Sequence, residues 1–196
     1  MTDAFTRFDD ADVRDLVAEF PLAWVAARDP GSSPGEASLL PLLGEYDATG
    51  RLVALLGHLG RHNPLHARLA ASPGATILFN GPHGYISPAQ ARLRDWGPTW
   101  NYAQLAIAAD IVFEPDGAHE AIAALVDAME GDGWSSAELG DRYAGMAGAI
   151  VAFRARVTAV TGRFKLGQDE GRPVFDAIVR NHPDAALVRW MRRFDR

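Results

Sequence analysis

The sequence predicts a mainly β protein, an antiparallel barrel with flanking helices. Three observations point there. Three strand-like apolar runs, 22–27, 37–43 and 52–56, arrive before any long helix. Two later runs, 102–113 and 149–164, are long enough to bend around a barrel. The order of elements also lacks the regular strand–helix alternation that a parallel sheet requires.

The first period is helical. Val13, Leu16, Val17 and Phe20 follow i, i+3, i+4, i+7, with Asp9 or Asp10 as N-cap, and Pro21 ends the helix. Leu22 to Ala27 then reads as a buried strand, closed by turn chemistry at 29–35. The runs 37–43 and 52–56 flank Asp47-Ala48-Thr49-Gly50 and form an antiparallel hairpin. Further strands are expected at 75–79, 83–86, 102–113 and 149–164, with Gly81-Pro82 as a turn. Helices are expected at 65–70, at 118–129, near 138–146, at 174–179 and at 185–194, the last capped by Asp184. In the 118–129 helix, Ile122, Leu125, Val126 and Met129 share one face, which reads as core packing.

At 196 residues and 21.2 kDa, one domain over 1–196 is expected, with terminal helices over about 170–196. The composition, 48% hydrophobic and 22% charged, is that of a globular chain. No apolar run approaches the roughly 18 residues that cross a bilayer, and the N-terminus has neither a basic nor an apolar leader region. A cytoplasmic protein without membrane insertion is the expectation. The absence of cysteine excludes disulfides, iron–sulfur clusters and thiolate chemistry. A net charge of −6 argues against a surface made wholly for nucleic acid. Even so, residues 180–196 carry five arginines against two aspartates.

The most informative stretch runs from Gly57 to Leu69. Asn63-Pro64 marks a helix start, because Asn is a favoured N-cap and Pro a favoured first helical residue. Unpaired N–H groups and partial positive charge collect at a helix start, here flanked by Arg61, His58 and His62. The stretch reads equally as a phosphate seat or as an ordinary capped helix. His58, His62 and His66 are four apart, but Pro64 places the helix start between them and spoils a three-imidazole metal face. Tyr85, Trp96, Trp100 and Tyr102 surround the loop 89–96, and suit either a wall for a flat ring or an aromatic core edge or dimer seam. Lys165 and Gln168 end the last strand, placed to contact an anion or to face water. No catalytic triad or carboxylate pair stands out.

Taken in order, Pro21-Leu22-Ala23, Leu40-Pro41-Leu42-Leu43, the segment Gly57 to Pro64, the segment Gly81 to Pro88, Pro98-Thr99-Trp100-Asn101-Tyr102 and Lys165-Leu166-Gly167-Gln168-Asp169 resemble the PaiB-like family. These are FMN-binding negative transcriptional regulators in the FMN-binding split-barrel superfamily. The resemblance covers about residues 5–180. It implies a six-stranded antiparallel split β-barrel, a homodimer, and flavin sites at the subunit interface. By that likeness Arg61 and Asn63 sit where the flavin phosphate is held, with His58, Leu59 and His62 nearby. Leu39, Leu40 and Pro41 offer backbone to the isoalloxazine edge, and Trp100, Lys165 and Gln168 complete the candidate cofactor-binding set. This chain departs from the family pattern at 89–92 and at Gly167 and Asp169.

Three functions follow. The resemblance implies an FMN-binding transcriptional regulator; no helix-turn-helix is visible in the sequence, and the charge pattern leaves the C-terminal arginines either as a weak DNA contact or as the outer face of a solvated helix that packs Leu187, Val188 and Met191 inward. A flavin-dependent oxidoreductase, of the pyridoxamine-phosphate oxidase or flavin reductase type, is the second. The third is a non-flavin binding protein for another planar anionic ligand, with His58, His62 or His83 available.

Overall fold

The computed structural model describes residues 4–28 and 36–195; the predicted turn at 29–35 lies outside the described residues. Thirteen elements are labelled here in chain order. Helix α1 spans Asp10–Glu19, strand β1 Leu22–Ala27, β2 Ser38–Tyr46 and β3 Leu52–Gly60. Helix α2 (Pro64–Ala71) leads to β4 (Gly74–Ile86), the short α3 (Pro88–Ala91) and β5 (Thr99–Glu114). Helices α4 (Ala118–Glu130) and α5 (Arg142–Gly148) precede β6 (Ile150–Lys165), and α6 (Arg172–Asn181) and α7 (Ala185–Arg193) follow it. The six strands close an antiparallel barrel in the order β1-β2-β3-β6-β5-β4.

Alternation explains why these segments are strands. Along β5, positions 101, 103, 105, 107, 109 and 111 are buried while their neighbours are not, the period of two that turns one face of a strand inward. The β2–β3 hairpin is fixed by its turn. The Asp47 carboxylate accepts from the backbone N of Thr49 (2.9 Å) and of Arg51 (3.1 Å), while Gly50 takes the left-handed φ of +87°. Bonds from the Thr49 side chain and backbone hold the Asp47 carboxyl below the usual aspartate range.

The described residues divide into two compact units. In the unit made of Asp10–Phe79 and Ala106–Val160, the core includes Val25, Leu42, Leu55, Ile77, Ile107 and Phe153. Helix α1 buries Val13, Leu16 and Val17, as its period requires. In the unit made of residues up to Asp9, Asn80–Leu105 and Thr161–Arg196, Phe164 stacks on Phe194 at 4.8 Å and on Trp190 at 6.2 Å. Leu187, Trp190 and Met191 make α7 a buried helix with its arginines outward.

Three expectations change. The runs 75–79 and 83–86 are one strand, because Gly81 and Pro82 lie within β4 instead of forming a turn. The helix expected near 138–146 is a short 3-10 turn, Ser136–Leu139, followed by α5, with Gly140 at φ +55° breaking the two apart. The apolar face of α4 is not core. Ala118 and Ala121 are its buried residues, Ala121 and Ala124 packing with Leu43, Leu56 and Ala152, whereas Ile122, Leu125 and Val126 are only half-covered and Met129 is exposed. Small side chains let a helix approach a sheet closely, so the larger ones are left beside the contact.

Candidate functional site in the opening between two strands

The β2–β3 ladder runs from Tyr46↔Leu52 to Leu42↔Gly57. Beyond it the strands take other partners: Pro41, Leu40 and Leu39 pair with Leu22, Ala23 and Trp24 of β1, while His58, Leu59 and Gly60 pair with Ala152, Val151 and Ile150 of β6. The β2–β3 ladder ends there, and the strand ends beyond it, Leu39–Pro41 and the segment His58–Asn63, which lie about twenty residues apart in the chain, flank the opening. A cross-bond anchors its end, with Asn63 Nδ2 donating to Ser38 Oγ at 2.9 Å. Ser38 was not legible as a site residue, since nothing local ties it to Asn63.

Asn63 is the N-cap of α2, its Oδ1 accepting from Leu65 N at 3.0 Å, and Pro64 is the first helical residue. His66 N bonds to Asn63 O, so the first N–H groups of the helix are already satisfied within the cap. Anion attraction at this helix start therefore rests on the neighbouring side chains. Arg61 is exposed, and Arg61 Nε donates to Gly148 O (3.0 Å) while its Nη2 donates to Pro115 O (3.3 Å). A guanidinium has five N–H donors, so most of this fork still faces water. His62 is exposed beside it, and a Cβ added at Gly60 would meet nothing within 4 Å. Gly57 serves packing instead: a Cβ there would run into Leu42 Cδ2. An exposed arginine and histidine beside an open glycine fit the phosphate end of a flavin, and the edge of Leu39–Pro41, which the β3 ladder does not reach among the described residues, fits the ring's hydrogen-bonding edge.

His58 and Leu59 leave this opening on opposite sides. Leu59 is buried, whereas the His58 imidazole lines an apolar cavity beside α4 and α5, where burial holds its pKa below the ordinary histidine value. His66 is on α2, its Nδ1 donating to Arg61 O at 3.0 Å, so the three histidines share no face.

The remaining candidates lie in the other unit. Trp100 is 54% exposed, with Tyr85 edge-on at 6.0 Å and His83 stacked at 6.5 Å. Lys165 Nζ donates to Thr99 Oγ1 (2.6 Å) and to Trp100 O (3.1 Å), fixing a cation behind this shelf. Trp96 and Tyr102 turn elsewhere. Trp96 Nε1 donates to Glu170, and Tyr102 Oη accepts from Arg163. Gln168 closes its own turn, with Nε2 donating to Phe164 O and Oε1 accepting from Leu166 N. Both ends of that amide are committed to backbone, which suits a fold-closing residue.

The model of the family described as "Putative FMN-binding domain" matches residues 1–159. No curated protein matches the sequence. Among solved structures, the flavocytochrome Anf3 from Azotobacter vinelandii is 15% identical with a TM-score of 0.62, over 82% of this chain and 69% of that one. The FAD and heme binding protein from Mycobacterium smegmatis is 17% identical with a TM-score of 0.60, over 88% of this chain and 80% of that one. At such identities these structures show the fold, a six-stranded antiparallel barrel with flanking helices. With its match spanning most of the sequence, the chain belongs to this family of FMN-binding domains, and FMN is the cofactor that membership supports.

Proposed function

We propose that this chain is an FMN-binding homodimer acting as a negative transcriptional regulator of the PaiB-like type. Arg61 and His62 take the phosphate, the open edge of Leu39–Pro41 meets the ring, and Asn63 fixes the geometry of both through its cap and its bond to Ser38. Bound FMN supplies two-electron or one-electron redox chemistry, and the protein's part is to hold and orient it.

The observation that carries the regulatory half is the helix pair at the C-terminus. Helices α6 and α7 are joined by three residues, His182-Pro183-Asp184, the connection length of a helix-turn-helix. This pair lies beyond the residues that the family model matches. Arg180 ends α6 exposed, and Arg189 and Arg192 are exposed on α7 while Leu187, Trp190 and Met191 are buried. A cationic face of this kind supports contact with phosphates at low salt. Deleting residues 189–196 is a poor test, because it removes the buried Trp190, Met191 and Phe194. Charge reversal at Arg189 and Arg192 together keeps the packing. DNA binding that falls steeply with salt and vanishes in the double variant supports the regulator; unchanged binding overturns it.

The shelf of Trp100 and Tyr85 favours a flavin oxidoreductase as the second reading, since an exposed aromatic pair gives a planar substrate a place to stack. Turnover of NADH by the FMN-loaded protein, with no DNA binding, selects this reading. The absorbance of purified protein tests the cofactor. A flavin spectrum with a band near roughly 450 nm is expected, and a haem spectrum or a colourless protein that takes up no FMN selects the remaining alternative, a site for another planar anion.

A further inference from the structure

The excursion between β5 and β6 carries α4 and α5, and its large apolar side chains do not enter the barrel core. They line a cavity of about 270 Å³ with His58 of β3 in its wall. Ile122 and Leu125 come from α4, Trp134 from the link between helices, and Tyr143 and Met146 from α5. Among the described residues that line it there is no arginine, lysine, aspartate or glutamate. Met146 is 52% exposed. Leaving this much apolar surface half-covered costs free energy unless something occupies the space.

The lining gives the occupant's chemistry. A cavity lined without any charge disfavours a charged ligand, which would have to shed its hydration with no counter-ion to replace it. Trp134 and Tyr143 offer ring faces and edges. His58 is half-buried, makes no hydrogen bond with the described residues, and is held toward its neutral form, so it presents one donor and one acceptor. The Tyr143 hydroxyl is already engaged by His119 at 2.9 Å, so His58 is the polar anchor on the strand side, with the Ser136 hydroxyl and the Trp134 indole N–H elsewhere in the lining. The volume exceeds the roughly 150 Å³ of a cavity that takes benzene and falls below that of pockets for drug-sized molecules.

We infer that this cavity is a second binding site, for a small uncharged aromatic molecule of about one ring bearing a single hydroxyl or carbonyl that bonds to His58. It is separate from the flavin phosphate seat, because its lining contains no cation, and it stands whether or not the chain regulates transcription.

p-Cresol and toluene are suitable probes, titrated calorimetrically at pH 7.5 into the full chain with and without saturating FMN. The wild-type protein binds both, and p-cresol more tightly. His58→Phe keeps a ring of similar size, so it weakens p-cresol by about fivefold to tenfold, the worth of one neutral hydrogen bond, and leaves toluene unchanged. Leu125→Trp fills the space and abolishes both, with thermal melts and FMN titration on each variant showing that the fold and flavin seat persist. Absence of p-cresol binding, equal p-cresol affinity in His58→Phe, or binding that survives Leu125→Trp overturns the inference. Competition between p-cresol and FMN overturns the separate site, and its failure leaves FMN binding itself intact as a distinct measurement.

Discussion

Arg61 has two tasks that its local sequence does not distinguish. Its Nε and Nη2 hold the carbonyls of Gly148 and Pro115, the two ends of the excursion that carries α4 and α5, while the rest of the fork is open to an anion. Charge-assisted contacts are worth roughly 1.5–3 kcal/mol, so Arg61→Ala is expected to weaken FMN by about ten- to a hundredfold and riboflavin little, as read by flavin fluorescence. Equal weakening of FMN and riboflavin would show that the residue acts as a brace alone. Asn63→Ala is expected to lower stability by about 1–2 kcal/mol in thermal or chemical unfolding, since it removes both the cap on Leu65 N and the bond to Ser38. At His58 the folded pKa lies below the unfolded value of about 6.5 because burial disfavours the charged ring. As pH falls below that value the unfolded chain takes up a proton that the folded chain resists, so stability present above about pH 6.5 declines. His58→Phe is expected to flatten this decline, and an unchanged pH profile between 7 and 5 would refute it.

Among elements, the excursion is tied down by charge as well as by Arg61. Arg154 of β6 donates to Glu45 of β2 (2.8 Å), to Glu114 at the end of β5 (2.6 Å) and to Glu120 of α4 (2.7 Å). These three carboxylates hold the guanidinium even more firmly protonated than usual. Arg154→Ala leaves them facing one another without a cation. A loss of roughly 1–3 kcal/mol at pH 7, discounted for the partial exposure of the group, is expected in denaturant unfolding. Helix α4 shows why periodicity alone misled. The face carrying Ile122, Leu125, Val126 and Met129 is apolar at helical spacing, yet the sheet accepted the alanine face beside it, a choice set by how closely two backbones approach. Helices α1 and α7 offered no such alternative, and their apolar stripes are buried.

For the whole molecule, two expectations concern assembly and cooperativity. On the outer side of β1 and β2, Leu22, Trp24 and Leu39 are 51%, 46% and 44% exposed, and Trp24 stands directly opposite Leu39 in the ladder. A contiguous apolar face on paired strands is what a second copy of the chain would cover. Light scattering is expected to give twice 21.2 kDa, and Trp24→Glu to give one chain mass; a monomeric parent protein at micromolar concentration removes the dimer. Strands β4, β5 and β6 each contribute residues to both compact units, so one domain with a single unfolding transition is expected, and two resolved calorimetric transitions would contradict it.

The local signals in the sequence were sufficient for every strand but β4, which they divided at Gly81-Pro82, for the hairpin turn at Asp47–Gly50, and for the starts of α2 and α7, because alternation, cap residues and glycine conformation act over a few positions. The ordered motifs were also enough to place the chain near the flavin-binding barrels. The tertiary structure alone decided where β2 and β3 part company, so that Leu39–Pro41 and His58–Asn63 flank one opening, and it alone paired Asn63 with Ser38. It also turned His58 away from the opening and into an apolar cavity, committed Gln168 and Lys165 to backbone and neighbouring hydroxyl groups, and left the large residues of α4 outside the core. Each of these depends on contacts between residues distant in the chain, where the competition among packing distance, hydrogen-bond satisfaction and burial is settled by the whole fold and leaves no mark on local spacing.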